Sequence, residues 1–207
     1  MTLSAREAHE KKVAPPVSGV LPVFHERWSP RSYADKQVSR ETLGKVFEAA
    51  RWAASANNEQ PWRFVVGLKG SDTWQKIFDS LVEGNQKWAK HAPVLIVGAA
   101  HGIHAKNGRA NGFALYDLGG AVAHLTLQAA ALGLATHQMA GYDREKARGL
   151  LGIPEEYLLG AAIALGYQDE PEKLGDEGLI ERETVARERK HLNEFVFGGW
   201  GESLGLG

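Results

Sequence analysis

The 207-residue sequence contains no cysteine. This absence excludes disulfide scaffolds, thiolate metal sites, thiol redox relays and a cysteine nucleophile. Redox chemistry would therefore depend on a bound organic cofactor to carry the electrons. The eight histidines form no HExxH pattern, and His101 and His104, at a spacing compatible with a metal, lack a third ligand. The sequence therefore predicts no metal site.

The sequence also lacks the features that mark membrane proteins, nucleic-acid-binding proteins and Rossmann dinucleotide-binding proteins. No apolar run reaches the roughly 18 residues that span a bilayer, and the polar N-terminus lacks the apolar core of a signal peptide. The formal net charge of -1 gives no general attraction to nucleic acid or to an anionic membrane. Because no GxGxxG pattern follows a strand, no Rossmann site is indicated. We predict a cytoplasmic protein without nucleic-acid or membrane partners.

Helical and strand patterns alternate along the chain. The predicted elements are a helix over 39–52, a strand over 62–68, a helix from 72, a strand over 94–100, a helix over 115–132, a helix over 144–151 capped by Asp143, and a strand over 158–167. Alternation of this kind favours a layered α/β/α arrangement. No linker divides the chain, so we predict one domain over 1–207, with an N-terminal arm over 1–24 and a C-terminal extension over 168–207.

Two segments of this domain are predicted to lie at an interface. Apolar residues almost encircle the helix over 115–132, which indicates a central or interface helix rather than a surface one. The C-terminal extension is polar and loop-like, yet it ends in the apolar residues Phe195, Val196, Phe197 and Trp200. These must be buried somewhere, and a second subunit is one candidate.

Alternating residues in the segment RWSPRSY form the first candidate binding site. Arg27, Ser29 and Arg31 would project to one side of an extended segment, where guanidinium groups and a hydroxyl could bind a phosphate. The alternative is a solvated strand whose arginines pair with Glu26 or Asp35. A second basic cluster, Arg187, Arg189 and Lys190, could simply be an exposed charged stretch, or the apolar residues that follow it could fix its geometry against the protein.

Polar and small residues form three further candidates. The segment SANNEQP could cap a helix or present Ser55, Asn57 and Asn58 to a heterocycle. Asn85 precedes a strand and could be a ligand contact, although such a residue often lies on a helix surface. In THQMAGYD, Ala140 and Gly141 would let a flat ligand approach free N–H groups, unless the segment is a simple turn.

Four blocks in order resemble the nitroreductase superfamily of flavin mononucleotide (FMN) enzymes. They are RWSPRSY, EAARWAASANNEQPWRFVV, DLGGAVAHLTLQAAALGLAT followed by AGYD, and RERKHLNEFVFGGWG. The resemblance extends from Arg27 to Trp200. It implies an α+β fold with a mixed central sheet between helical layers, and a C-terminal tail exchanged with the partner subunit.

The resemblance also implies cofactor contacts. Arg27, Ser29 and Arg31 would meet the FMN phosphate and the pyrimidine edge of the ring, while Arg187 and Arg189 would close over the phosphate. Asn85 and the backbone at Ala140 and Gly141 would address the isoalloxazine ring, and Ser55, Asn57 and Asn58 would come from the partner subunit. Trp28 and Met139 adjoin these positions and complete the predicted set. Asn57, Ala140 and His191 depart from the residues common in the family.

The implied activity is reduction of a small acceptor, such as a nitroaromatic compound or a quinone, by NADH or NADPH. In that ping-pong mechanism flavin N5 carries the hydride, and no side chain acts as a catalytic nucleophile. The chain would work as a homodimer with two interfacial flavin sites. The alternatives are a flavin-dependent reductive dehalogenase and a flavin-binding or storage protein without catalysis.

Overall fold

The computed structural model describes residues 3–206. Its helices are α1 (Ala5–Lys12), α2 (Pro22–Glu26), α3 (Arg40–Arg51), α4 (Asp72–Ser80), α5 (Glu83–Ala89), α6 (Ala114–Ala131), α7 (Arg144–Leu151) and α8 (Glu177–Thr184). Its strands are β1 (Trp62–Leu68), β2 (Val94–His101), β3 (Ala135–Met139), β4 (Tyr157–Gly166), β5 (Phe197–Gly199) and β6 (Glu202–Ser203).

Four strands form the central sheet in the order β1-β2-β4-β3. Every pair of neighbours in this sheet is antiparallel, with Val65 opposite Val97, Ile96 opposite Ile163 and Gln138 opposite Ile163. The predicted α+β class is confirmed, but the prediction of a mixed sheet is wrong for the residues described. The hydropathy of a strand reports which faces are buried and says nothing of the direction of its neighbour.

Strand β2 divides the core into two halves because its side chains alternate between the faces of the sheet. Leu95 and Val97 face a cluster with helices α4, α5 and α7, whereas Val94 and Ile96 face one with α3 and α6. Both faces of β2 are therefore buried, which explains its unbroken apolar sequence. This arrangement confirms the predicted three layers.

The helices and strands predicted from periodicity are confirmed, and the residues that begin and end them follow simple rules. Ser39 accepts a hydrogen bond from Thr42 N–H at the start of α3, and Asp143 accepts one from Lys146 N–H at the start of α7. Helix α7 ends at Gly152, which has a φ of 65°.

Several elements, among them α1, α8 and β3, lie where no regular structure was predicted. The N-terminal arm contains α1, the polar extension contains α8, and the presumed turn THQMAGYD begins with β3. The sequence does contain capping signals for the two helices α1 and α8. Ser4 and Glu7 form a capping box at α1, and Asp176 caps α8 by accepting from Leu179 N–H.

The last part of the chain is a small hairpin formed by β5 and β6. Its tip residue Trp200 is 98% exposed, and Phe195 is also exposed. The prediction that these residues need a surface outside their own chain therefore stays open, because their own domain does not bury them.

Candidate functional site

Six cationic side chains surround one cavity of about 200 Å³. Its lining also includes the indole of Trp28 and the hydroxyl of Ser29; the cations are Lys12, Arg27, Arg31, Arg182, Arg187 and Arg189. The sequence-based prediction that Arg27, Ser29 and Arg31 converge is confirmed, since all three line this cavity and Arg27 donates to the Ser29 hydroxyl at 3.3 Å. We call this region the cationic cavity.

The only acidic partner bonded to these cations is Glu183, as far as residues 3–206 show. Its carboxylate accepts from Arg31 Nη1 at 3.2 Å and from Arg31 N–H at 2.9 Å. Burial raises the pKa of Glu183, although its bonds to Arg31 act in the opposite direction. The predicted alternative partners of the arginines, Glu26 and Asp35, are not used. Glu183 was missed because it lies in a segment predicted to be loop.

Arg187 holds three segments of the chain together. Its guanidinium donates to the carbonyl oxygens of Lys12, His25 and Arg27. Burial, and then the neighbouring charges of Arg189 and Arg27, lower the pKa of Arg187. Arg187 thus both lines the cationic cavity and fixes the end of α1 beside it.

Arg27 and Trp28 line the cavity beside Lys12, the last residue of α1. Burial lowers the pKa of Arg27, and the charge of Arg189 lowers it further. Trp28 is buried and donates from Nε1 to His9 Nδ1 at 3.2 Å. A wall of partly desolvated cations of this kind favours an anionic ligand, because an anion would offset their loss of hydration.

Asn85 and Gly141 form a second group of predicted residues that the structure brings together. Asn85 Nδ2 donates to the Gly141 carbonyl at 2.8 Å, and a Cβ placed on Gly141 would lie 2.9 Å from that Nδ2. A side chain at 141 would therefore displace Asn85. Within residues 3–206, the N–H groups of Ala140 and Gly141 have no acceptor, so both are available to a ligand.

Strand β3 connects the two groups. His137 lies between the ring of Trp88, at 4.6 Å, and the carbonyl of Pro30, 3.1 Å from its Nδ1. Burial, and then the charge of Arg31, lower the pKa of His137 to about 4. Strand β3 thus leads from His137, which contacts Pro30 in the 27–31 segment, to the free N–H groups of Ala140 and Gly141.

Ser55, Asn57 and Asn58 lie in a tight turn and do not line the cationic cavity, and the cavity that Asn57 and Asn58 border shares none of its residues. Asn57, Asn58 and Gln60 adopt φ values of 53°, 56° and 47°, in the left-handed region that non-glycine residues avoid. The turn is held by Gln60 N–H donating to Ser55 Oγ and by Ala56 N–H donating to an Asp117 carboxylate oxygen. One chain alone does not bring these amides to the cations.

The remaining predicted residues occupy less direct positions. The side chain of Met139, the last residue of β3, is buried in the core cluster with α4, α5 and α7. Arg189 lines the cationic cavity and is otherwise exposed. His104 lies 3.4 Å from Glu59, and His101 packs on Tyr157. Throughout 3–206 no helix is long and apolar enough to cross a membrane.

The chain was compared with known proteins. The model of the nitroreductase family matches residues 25–87 and 68–167. A relative from Archaeoglobus fulgidus, named provisionally as an NADH dehydrogenase/NAD(P)H nitroreductase, is 30% identical over 174 residues, covering 82% of this chain and 97% of the relative. An NADH dehydrogenase from Thermus thermophilus is 30% identical over 177 residues, covering 70% of this chain and 84% of that protein.

Solved structures agree with the family match. An oxidoreductase containing FMN superposes with a TM-score of 0.83 at 35% identity, covering 89% of this chain and 94% of that one. A nitroreductase-type protein from Desulfovibrio desulfuricans, solved in complex with FMN, shares the fold at 24% identity, with a TM-score of 0.68 and coverage of 89% and 98%. Together with the motifs and the architecture, these matches show that the chain belongs to the nitroreductase family of oxidoreductases.

Proposed function

We propose that the protein is an FMN-dependent oxidoreductase that uses NADH or NADPH to reduce small acceptors such as quinones or nitroaromatic compounds. The observation that carries this proposal is the cationic cavity, in which six positive side chains face a single bonded carboxylate. Arg182 and Arg189 are exposed, but the other four cations are buried or half-buried. An anion in the cavity would offset the cost of desolvating those four. The dianionic phosphate of FMN matches the donors that Arg27, Ser29 and Arg31 offer.

The second group of residues supports a flavin rather than a simple phosphate ester. FMN carries its phosphate and its ring at opposite ends of a polyol chain, and Ala140 and Gly141, which follow β3, are not among the residues that line the cationic cavity. The free N–H groups of Ala140 and Gly141 are donors suited to the ring edge. Asn85 donates to the Gly141 carbonyl, which fixes its side-chain amide next to this segment.

The chain's own groups would bind and orient rather than exchange protons. When bound, FMN supplies hydride acceptance and donation at N5. Arg27 and Arg31 would anchor the phosphate, and the two N–H groups would stabilise negative charge that develops on the ring edge. The nicotinamide nucleotide and the acceptor would use the same open face in turn. His137, with its pKa lowered to about 4, is neutral at pH 7 and bonded to Pro30, so packing describes its role better than proton donation.

We also propose a homodimer, because one chain leaves both a surface and a site incomplete. The outer face of α6 exposes Leu115, Tyr116 (79% exposed), Gly119 and Gly120, and the nearby Trp52 is 71% exposed. Contiguous apolar surface of this kind commonly marks an interface. A second copy packed on this face would cover it and would bring another 55–60 turn towards the flavin.

The test is the visible spectrum of the purified protein, recorded before and after anaerobic addition of NADH and then NADPH. Flavin bands that bleach with either nucleotide and return with a quinone would support the reductase. Bands that both nucleotides leave unchanged would favour a storage protein, and a colourless chain that refuses FMN would overturn the proposal. Arg27→Met should release the flavin, whereas Arg40→Met, which changes an exposed arginine on α3, should retain it.

A further inference from the structure

Lys12 is a buried cation that neither the sequence motifs nor the family match singles out. It is the last residue of α1 and is only 6% exposed. Its ammonium lies 5.2 Å from the centre of the Trp28 ring and donates to the carbonyl oxygens of Arg182, at 2.6 Å, and Val185. A lysine is seldom buried to this degree without a charged partner.

The charge of Lys12 is not neutralised by a bonded carboxylate. Across residues 3–206, no acidic oxygen lies within 4.0 Å of its ammonium nitrogen, and the nearby Glu183 is bonded to Arg31 instead. Burial lowers the pKa of Lys12, and Arg31 and Arg187 lower it further, although Glu183 acts in the opposite direction. An ammonium has three N–H donors, and the two carbonyls account for two of them.

The remaining donor belongs to a side chain that lines the cationic cavity, together with Arg27, Ser29 and Arg31. The backbone of Lys12 takes part as well, because its carbonyl accepts from Arg187 Nε. Helix α1 therefore closes one side of the cavity and positions two of its cations. An anion in the cavity could accept the third hydrogen bond and neutralise the charge.

We propose that Lys12 is a phosphate-binding residue, so that α1 forms a wall of the phosphate subsite beside the 27–31 segment. This inference rests on the proposed FMN function. It adds to that function a residue that lies 15 positions before the first family motif. The phosphate would provide the bonded counter-ion that the ammonium of Lys12 does not find among the described residues of the protein.

A purely structural role for Lys12 makes a different prediction. A cation beside the last carbonyls of α8 stabilises that helix end and would hold α1 against α8. Loss of that contact would affect ligands with and without a phosphate equally. The comparison of FMN with riboflavin, which lacks the phosphate, therefore separates the two roles.

The experiment measures dissociation constants of both ligands by quenching of flavin fluorescence, on the full chain freed of bound flavin. Lys12→Met keeps the apolar stem over Trp28 and removes the charge. In this variant the dissociation constant for riboflavin divided by that for FMN should fall about tenfold, because one charge-assisted hydrogen bond to the phosphate is lost. Lys36→Met is the matched control, since Lys36 also lies over an aromatic ring, that of Tyr167 at 3.8 Å, but is exposed and outside the cavity.

Lys12→Gln, which keeps a donor for the α8 carbonyls, serves as a second variant and should show the same fall. An unchanged ratio in a folded Lys12 variant, or equal weakening of both ligands, would overturn this inference while leaving the FMN proposal intact. A wild-type chain that binds FMN no better than riboflavin would overturn both. Lys36→Met should keep the wild-type ratio in every case.

Discussion

The cationic cavity and the turn at 55–60 are both candidate flavin contacts, yet they are built in opposite ways. The cavity joins segments that are far apart in sequence, because Arg187 bonds to carbonyls near residues 12 to 27 and Arg31 bonds to Glu183. The turn is held mainly by its own neighbours, as in the bond from Gln60 N–H to Ser55 Oγ. The cavity is complete within one chain, whereas the turn presents strained amides outward.

This difference predicts how each region responds to substitution. Changes in the cavity should reduce both folding stability and FMN affinity, because the same bonds serve both. Changes at the α6 face or in the turn should affect assembly or ligand binding while the isolated chain keeps or even gains stability. The predictions below test this contrast, beginning with the largest expected effect.

Arg31→Met should have the largest effect. It leaves the buried carboxylate of Glu183 without its partner, and we expect the free energy of unfolding to fall by about 3 kcal/mol, at the low end for a broken buried pair because Glu183 can take up a proton. FMN affinity should fall roughly 10- to 100-fold. Urea titration and fluorescence quenching would measure the two quantities.

The double variant Arg31→Met with Glu183→Gln separates the effect on the free energy of unfolding from the effect on FMN affinity. Removal of both charges should restore most of the lost stability, while FMN affinity stays low. Arg51→Met is the matched control, because its ion pair with Glu48 lies on the exposed surface of α3 and should matter little. Recovery of FMN affinity in the double variant would contradict a direct role for Arg31.

Gly120→Glu tests the α6 face. A Cβ at Gly120 meets nothing within 4 Å in its own chain, so the substitution should leave the monomer folded. In a symmetric dimer the new charge would enter the interface twice, and the dimer dissociation constant should rise about 100-fold or more. Sedimentation equilibrium would measure it. Gly44→Glu, at an equally open and exposed helical glycine on α3, should leave assembly unchanged.

A Gly120→Glu protein that remains a dimer would show that α6 is not the contact. If the dimer does separate, FMN should be lost with it, even though the cationic cavity is untouched. Retention of FMN by the monomer would show that the 55–60 turn is dispensable.

His137→Gln tests how the cavity is anchored to β3. The folded pKa of His137 is depressed to about 4 from an ordinary 6.5, so its contribution is present above pH 6.5 and is lost as the pH falls towards 4. Between pH 7.5 and 5 the wild type should lose about 2 kcal/mol more stability than the variant. Urea titrations at the two pH values would measure this, with exposed His124→Gln as the control that keeps the wild-type dependence. Equal losses in wild type and His137→Gln would contradict it.

Much of the fold is predictable because burial leaves a periodic pattern. Strand β2 is apolar throughout since both of its faces are covered, and Ser39 and Asp143 identify two helix starts. Strand β3 was missed because five residues with exposed Gln138 and half-buried His137 show no clear alternation. The prediction of a mixed sheet was wrong for a different reason, because the relative direction of neighbouring strands depends on the path of the whole chain.

The residues of the candidate site also divide into those that could be predicted from the sequence and those that could not. Arg27 and Arg31 could be predicted because they are close in sequence and project to one side of an extended segment. Lys12 could not, because its role requires α1 to meet α8 across 170 residues of chain, and Glu183 could not, because it meets Arg31 across 152 residues. Spacing in a sequence reports local geometry, and a site assembled from distant segments has no such spacing.

Gln60→Gly should have the smallest effect and the opposite sign. Gln60 has a φ of 47°, which costs a non-glycine residue about 1–2 kcal/mol, and glycine removes that cost while it adds roughly 0.5–1 kcal/mol of chain entropy. The net expectation is a gain of about 0.5 kcal/mol in the free energy of unfolding. Thermal and urea unfolding would measure it.

The matched control is Gln75→Gly in the exposed middle of α4, which should lose about 1 kcal/mol because glycine disfavours a helix. If the turn is strained so that its amides are held ready for a flavin, the freer glycine chain should bind FMN a few-fold more weakly while it folds more stably. Opposite changes in stability and affinity would distinguish the turn from the cationic cavity, where both fall together. A Gln60→Gly protein that loses stability would show instead that the left-handed backbone is relaxed by its bonds to Ser55 and Asn58.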